Sequence, residues 1–147
     1  MENMNNNEII VYTDGASRGN PGPSAIGIYI ETLKKEYGEI IDNTTNNDAE
    51  YQAVVFALIE IRSLTGKKKA KEKTVKCYMD SQLVVEQLNH RYKITHPTTQ
   101  KHFLTIWNLT LDFKKVLFAH IPREKNKIAD KMANIALDKK INQATLL

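Results

Sequence analysis

The sequence predicts a mixed α/β fold in which helices pack on the faces of a five-stranded sheet. Segments rich in β-branched and aromatic residues are separated by turn-forming Gly, Pro, Asn and Asp. Longer segments carry apolar residues at the three- and four-residue spacing of a helix. Three strands come first and helices alternate with strands afterwards, an order typical of a sheet that mixes antiparallel and parallel strands.

The first half of the chain holds a predicted meander and one long helix. Strands are predicted at Ile9–Thr13, Ser24–Glu31 and Glu36–Ile41, and their short connections favour antiparallel pairing. Apolar residues then recur at helical spacing over Asp48–Leu64, and Gly66 is expected to end that helix.

The second half alternates strands and helices. Proline marks two of the boundaries, because Pro97 suits the first turn of a helix and Pro122 ends a strand. The predicted elements are a strand at Thr74–Met79, a short helix at Ser81–Asn89, a helical region from Pro97 to Phe113, a strand at Lys115–Ile121 and a helix at Asn126–Lys139.

We expect a single domain over residues 9–140, a flexible N-terminal tail over residues 1–8 and a C-terminal tail over residues 141–147. A length of 147 residues with 41% hydrophobic content suits one core. The one cysteine, Cys77, lies in an apolar run, which indicates a buried thiol and a reducing setting. No apolar stretch approaches the roughly 18 residues of a membrane span, so we expect a cytoplasmic protein without membrane association.

The charge of the chain favours an anionic partner, although weakly. The sequence has 21 Lys and Arg residues against 17 Asp and Glu residues, a formal net charge of +4. Five lysines crowd into Gly66–Lys73, which we interpret as a solvated loop after the long helix. A second basic stretch contains Arg123, Lys125, Lys127 and Lys131.

Four carboxylates lie at the ends of predicted elements: Asp14, Glu50, Asp80 and Asp130. Each has a purely structural interpretation as a turn, capping or helix-dipole residue, including a capping box formed by Asn47 and Glu50. If the first and fourth strands are adjacent and parallel, however, two of these carboxylates meet at one edge of the sheet.

Clustered carboxylates suit divalent cations. Uncompensated, they repel one another, whereas Mg²⁺ prefers oxygen ligands and cancels their charge. Two such ions about 3.5–4 Å apart can activate water and stabilise the leaving oxygen of a phosphodiester. The chain has neither zinc-ligand spacing of Cys and His nor a phosphate-binding Gly-x-x-x-x-Gly-Lys loop.

Four sequence blocks resemble those of type 1 ribonucleases H, and they occur in the family's order. Together they span most of the chain, from about Ile9 to Leu137. The blocks are YTDGASRGNPGPSAIG at Tyr12–Gly27, TTNNDAE at Thr44–Glu50, MDSQLV at Met79–Val84 and HIPREKNKIAD at His120–Asp130.

The resemblance implies a ribonuclease H-like sheet and an endonuclease that hydrolyses the RNA strand of RNA–DNA hybrids, leaving a 5′-phosphate and a 3′-hydroxyl. It implies two Mg²⁺ ions, with Mn²⁺ as an alternative, and no small-molecule cofactor; we expect a monomer. The implied metal ligands and catalytic carboxylates are Asp14, Glu50, Asp80 and Asp130.

The resemblance also implies a proton-transfer residue and a set of substrate contacts. His120 precedes Asp130 by ten residues, as the family's mobile catalytic histidine does, and its ordinary pKa near neutrality suits proton transfer. Minor-groove contacts separate RNA from DNA through the 2′-hydroxyl. The implied contacts are Gly15, Ala16, Asn20, Asn46, Glu50 and Gln82 in the minor groove, and Thr45 and Asn20 at a phosphate of the DNA strand.

The chain departs from the family pattern in two places. Between Asp80 and His120 it is too short for the basic protrusion that grips the hybrid in many bacterial members, and Gly66–Lys73 is a lysine-rich insertion. Three other interpretations were weighed: a non-catalytic nucleic-acid-binding module, a transposase, integrase or junction resolvase of the same broad fold, and a structural α/β protein. The presence of all four acidic residues argues against a non-catalytic module. The combination of the hairpin block and the Thr-Thr-Asn-Asn block argues against a transposase, integrase or resolvase, and the order of the motifs argues against a structural protein.

Overall fold

A computed structural model describes the backbone of residues 6–146 and the side chains of residues 6–143. The sheet has five strands in the order β3-β2-β1-β4-β5. These strands are β1 (Glu8–Ser17), β2 (Gly22–Ile30), β3 (Lys35–Thr44), β4 (Thr74–Met79) and β5 (Lys115–His120). The mixed five-stranded sheet predicted from the sequence is confirmed.

Within residues 6–146, five α-helices accompany this sheet. One long helix and a one-turn helix connect the meander to β4, two helices connect β4 to β5, and a 3-10 turn at Arg123–Lys125 precedes the last helix. The helices are α1 (Asn46–Thr65), α2 (Lys67–Ala70), α3 (Gln82–Leu88), α4 (Pro97–Thr110) and α5 (Lys127–Leu146). Within the described part of the chain, no helix is long and apolar enough to cross a membrane.

Antiparallel and parallel pairing meet at β1. β1 pairs antiparallel with β2, which pairs antiparallel with β3, so the predicted meander is confirmed. On its other side β1 pairs parallel with β4, from Glu8 opposite Thr74 to Tyr12 opposite Tyr78. β4 in turn pairs parallel with β5. The carboxyl ends of three strands therefore point to one edge of the sheet.

The two faces of the sheet carry different helices. Side chains alternate between the faces of a strand, and Ile26, Ile28 and Ile30 of β2 lie in the main core with buried residues of α1. Gly27 faces the other way, where α5 packs so closely that a Cβ on Gly27 would overlap the Ala129 carbonyl oxygen. The sheet is thus held between α1 on one face and α5 on the other.

Local capping determines where α1 begins and ends. The Thr45 hydroxyl accepts a hydrogen bond from Asp48 N at 3.2 Å, so Thr45 is the N-cap. The predicted capping box of Asn47 and Glu50 is wrong, because Glu50 lies one turn inside the helix. Gly66 ends α1 at φ 88°, a backbone conformation that favours glycine.

The lysine-rich insertion is not the loop that the sequence predicted. Its centre forms the short helix α2, anchored by buried Ala70. Lys71 Nζ donates to the Leu111 carbonyl at 3.2 Å and Lys73 Nζ donates to the Asn6 carbonyl at 2.6 Å. The insertion is therefore fastened to the edge of the sheet at which β4 begins, opposite the edge where Asp80 lies.

Two further expectations need correction. The last helix does not stop at Lys139 but continues to Leu146, through most of the predicted C-terminal tail. The apolar spacing of the α4 region predicts core positions for three side chains that are exposed in the structure: Leu104 by 58%, Trp107 by 48% and Leu111 by 55%. Of the predicted N-terminal tail, residues 1–5 lie outside the described residues, as does Leu147, and β1 begins at Glu8.

Replacing Gly27 with Ala is expected to destabilise the protein by about 1–3 kcal/mol, the usual cost of overpacking, because the added methyl group overlaps α5 backbone. Urea unfolding followed by circular dichroism measures this. The control is Ser63→Ala at an exposed position of α1, where we expect a change within about 0.5 kcal/mol. Equal stability of the two variants would show that α5 does not pack against the sheet as described.

Candidate active site

Asp14 lies on β1 just beyond its parallel pairing with β4. The ladder with β4 ends at Tyr12, while pairing with β2 continues through Asp14 opposite Gly27 to Ser17. The prediction that Asp14 closes the first strand is therefore wrong in detail, since β1 extends three residues further. Asp14 is only 6% exposed. Its carboxylate is buried where β1 leaves β4.

Glu50 reaches the same place from α1. Gly15 N donates to Glu50 Oε1 at 2.8 Å, which fixes the carboxylate beside Asp14. The approach is close because a Cβ on Gly15 would overlap the backbone of Ala49 and Glu50. The glycine after Asp14 therefore allows the first turns of α1 to lie against β1.

Asp80 and Asp130 come from the end of β4 and the start of α5. Asp80 directly follows β4, while the neighbouring Ser81 accepts from Val84 N at 3.3 Å and caps α3. Asp130 lies in the first turn of α5, as predicted. Asn134 Nδ2 donates to Asp130 Oδ1 at 3.1 Å. The Asp130 carboxylate is thus oriented by a residue one turn further along its own helix.

The structure brings the predicted carboxylates together. Asp14, Glu50 and Asp80 each offer an oxygen atom, and these atoms all lie within 4.8 Å of one another. Asp130 is not part of this three-residue cluster, but its charge and a side-chain hydrogen bond act on Asp14. Four acidic side chains, from β1, α1, the end of β4 and the first turn of α5, therefore share one electrostatic environment.

This environment makes Asp14 and Glu50 hard to ionise. Burial, followed by the charges of Glu50, Asp80 and Asp130, raises the pKa of Asp14 to about 9. Burial and the charge of Asp80 raise the pKa of Glu50 to about 8, against the lowering effects of the Gly15 hydrogen bond and Arg123. A divalent cation bound here would stabilise the charged forms of Asp14 and Glu50, and carboxylate oxygens are the ligands that such a cation prefers.

Two side chains outside the predicted set act on these carboxylates. The positive charge of Arg123, in the 3-10 turn, lowers the pKa of Glu50. Asn126, which is 1% exposed, donates from Nδ2 to Asp80 Oδ2 at 3.0 Å and to the Thr13 carbonyl at 2.9 Å. Both residues belong to the fourth sequence block, but no spacing rule shows that this asparagine points inwards.

The predicted phosphate contacts border a groove at the start of α1. Asn20 Oδ1 accepts from Asn46 N at 3.0 Å, and Asn46 Oδ1 accepts from Ser17 N at 2.9 Å. These bonds tie the β1–β2 turn to the start of α1, next to the N-cap Thr45. The groove has a volume of about 370 Å³ and is lined by Asn20, Thr44, Thr45, Asn47, Asp48, His96, Thr98 and Thr99.

The remaining predicted residues lie at the rim. His120 is the exposed last residue of β5. It pairs with Met79 of β4, the residue that precedes Asp80. Gln82 is exposed at the first position of α3. Ala16 follows Gly15 on β1 and is partly buried.

Comparison with known proteins agrees with this geometry. Residues 12–136 match the family model described as reverse transcriptase-like. The chain is 34% identical over 136 residues to the bifunctional protein Rv2228c of Mycobacterium tuberculosis, covering 89% of this chain and 36% of that protein. The chain thus spans about a third of the length of this relative.

Two solved structures superpose closely on the fold. The crystal structure of RNase H1 from Halobacterium salinarum has a TM-score of 0.82 at 34% identity, covering 90% of this chain and 98% of that one. LC11-RNase H1, solved in complex with RNA/DNA hybrid, has a TM-score of 0.84 at 40% identity, covering 90% and 99%. With the matched family model and the gathered carboxylates, these similarities show that the chain belongs to the type 1 ribonuclease H family.

Proposed function

We propose that this protein is an endonuclease that hydrolyses the RNA strand of RNA–DNA hybrids and leaves 5′-phosphate and 3′-hydroxyl ends. The observation that carries the proposal is the cluster of Asp14, Glu50 and Asp80 within 4.8 Å, with Asp130 acting on it, together with a polar groove at the start of α1. The complex of LC11-RNase H1 with a hybrid supports the choice of substrate.

The proposed cofactor is Mg²⁺, two ions with substrate, with Mn²⁺ as the alternative. All four carboxylates supply hard oxygen ligands, and cation charge would remove the repulsion that raises the pKa values of Asp14 and Glu50. When bound, two such ions supply an activated water and stabilise the leaving 3′ oxygen. Asp14, Glu50, Asp80 and Asp130 would hold these ions.

The protein's own residues would bind and orient the substrate. Asn20 and Thr45 border the polar groove and would hold a phosphate of the DNA strand, so that the RNA strand would lie over the carboxylates. Gly15, Ala16, Asn46, Glu50 and Gln82 would contact the minor groove, where a 2′-hydroxyl separates RNA from DNA.

His120 would move a proton at the rim of the site. Its exposure at the end of β5 leaves the imidazole free to reach the phosphate or the leaving group, and imidazole is a common general acid and base in enzymes. We further propose a monomer without a small-molecule cofactor, because one chain supplies all four carboxylates.

Asp14→Asn is expected to abolish hybrid cleavage, by at least a hundredfold, while the fold and hybrid affinity persist. The amide keeps the size of the side chain but loses the charge that would hold the cations. Cleavage of end-labelled hybrid, duplex DNA and duplex RNA with Mg²⁺ measures this, and Asp42→Asn, at an exposed position of β3, is the matched control. Activity of Asp14→Asn within tenfold of the parent would remove Asp14 from the catalytic role.

Without divalent cations, the protein is expected to become less stable as the pH rises from 5 to 9. The folded-state pKa values of Asp14 and Glu50 lie above their ordinary values. The contribution of these two groups to the free energy of unfolding is therefore greatest below about pH 4 and is lost as the pH rises towards 9. Melting temperatures should fall less steeply with pH in Asp14→Asn. Mg²⁺ should raise the melting temperature of the parent more at pH 9 than at pH 5. A parent and variant with the same pH dependence would contradict this electrostatic account.

His120→Ala is expected to lower kcat by tenfold or more with little change in KM, because a proton-transfer residue acts after the hybrid has docked. Steady-state kinetics at saturating Mg²⁺ separates the two constants. Added imidazole should restore part of the lost rate in the variant and leave the parent unchanged. A loss confined to KM would assign His120 to substrate binding instead.

A further inference from the structure

We propose that Asn126 is a positioning residue that fixes the Asp80 carboxylate for cation binding. This inference rests on the proposed function in one respect, namely that Asp80 is a cation ligand. The sequence blocks assigned no role to Asn126, and it does not touch the groove residues. It would act through Asp80 alone, by setting which carboxylate oxygen faces the other acids.

The orientation of the Asn126 amide is forced by its surroundings. A side-chain amide nitrogen has two N–H groups, and here both have acceptors: the Thr13 carbonyl at 2.9 Å and Asp80 Oδ2 at 3.0 Å. The reverse orientation would press the amide oxygen against two other oxygens. The amide therefore holds Asp80 Oδ2 at a fixed distance from the backbone of β1, one residue before Asp14.

The other end of the same amide is left without a partner. Asn126 Oδ1 is buried and has no hydrogen-bond partner among the described residues, although Asn126 is only 1% exposed. A buried, unpaired amide oxygen costs stability, so this end does not explain why an amide lies here. The two N–H donors explain the presence of an amide, because one of them donates a hydrogen bond to a carboxylate of the cluster.

Asn126 also connects the elements that carry three of the acids. Its carbonyl accepts from Asp130 N at 3.1 Å at the start of α5, while its side chain bridges the ends of β1 and β4. As a neutral donor it orients Asp80 without cancelling charge, which a lysine or arginine at this position would do. The cluster thus keeps the negative charge that attracts a cation.

The test is Asn126→Ala, with the Mg²⁺ dependence of the melting temperature and calorimetric Mg²⁺ binding measured without hybrid. We expect the Mg²⁺ concentration at half-saturation to rise by tenfold or more, in the range found when partners of metal ligands are removed. With hybrid and saturating Mg²⁺, KM should stay within about twofold while kcat falls.

Asn89→Ala is the matched control. Asn89 Nδ2 donates to the Phe118 carbonyl at 3.0 Å, so this variant also removes a bond from an amide to a strand but none to a carboxylate. It should lower the melting temperature and leave the Mg²⁺ midpoint within twofold of the parent. If Asn126→Ala behaves like Asn89→Ala, Asn126 is structural and the inference is overturned.

Two further measurements keep the test decisive if Asn126→Ala does not fold. Asn126→Leu removes both donors at similar volume and should show the same shift in the Mg²⁺ midpoint. In the unmodified protein, the NMR signals of the Asn126 amide group should move during Mg²⁺ titration with the calorimetric midpoint, and signals that stay fixed would overturn the inference.

The outcomes separate this inference from the proposed function. A parent that binds Mg²⁺ through an Asn126-dependent site but cleaves no hybrid would overturn the proposed function and support the inference. A parent that cleaves hybrid, with an Asn126→Ala variant whose Mg²⁺ midpoint is unchanged, would overturn the inference alone.

Discussion

Mutual repulsion among buried carboxylates is the constraint on which the rest of this structure depends. Oxygen atoms of Asp14, Glu50 and Asp80 lie within 4.8 Å of one another, although burial and like charge oppose the ionisation of Asp14 and Glu50. Such an arrangement persists only if rigid elements determine where each acid lies. The parallel ladder of β1 and β4 supplies this rigidity, and the close contact at Gly15 adds α1 to it.

The helices α1 and α5 both pack against the sheet and position acidic side chains. α1 contributes buried residues to one face of the sheet and delivers Glu50 to its edge. α5 approaches the other face so closely that only a glycine fits at position 27, and its first turn carries Asp130. The fold therefore delivers acids to one edge from both faces, and that edge lies opposite the lysine-rich helix α2.

The sequence predicted most of the fold because its signals are local. Apolar spacing located α1 and the strand at Thr74–Met79, and four motif blocks named the carboxylates that the structure gathers. What it missed depends on contacts distant in sequence. The bridge from Asn126 to Thr13 spans 113 residues, and the tether from Lys73 to Asn6 spans 67. The buried anchor Ala70 in α2 and the exposure of Trp107 are likewise decided by tertiary packing.

Trp107 is the only tryptophan of the chain and is about half exposed on α4, although apolar periodicity had indicated a core position. The indole of such a residue is already in contact with water in the folded state. Its emission will therefore change less on unfolding than that of a buried tryptophan, so fluorescence would give a small signal for the transition. The same exposure makes Trp107 a local reporter of molecules that approach α4, on a helix that carries none of the four carboxylates.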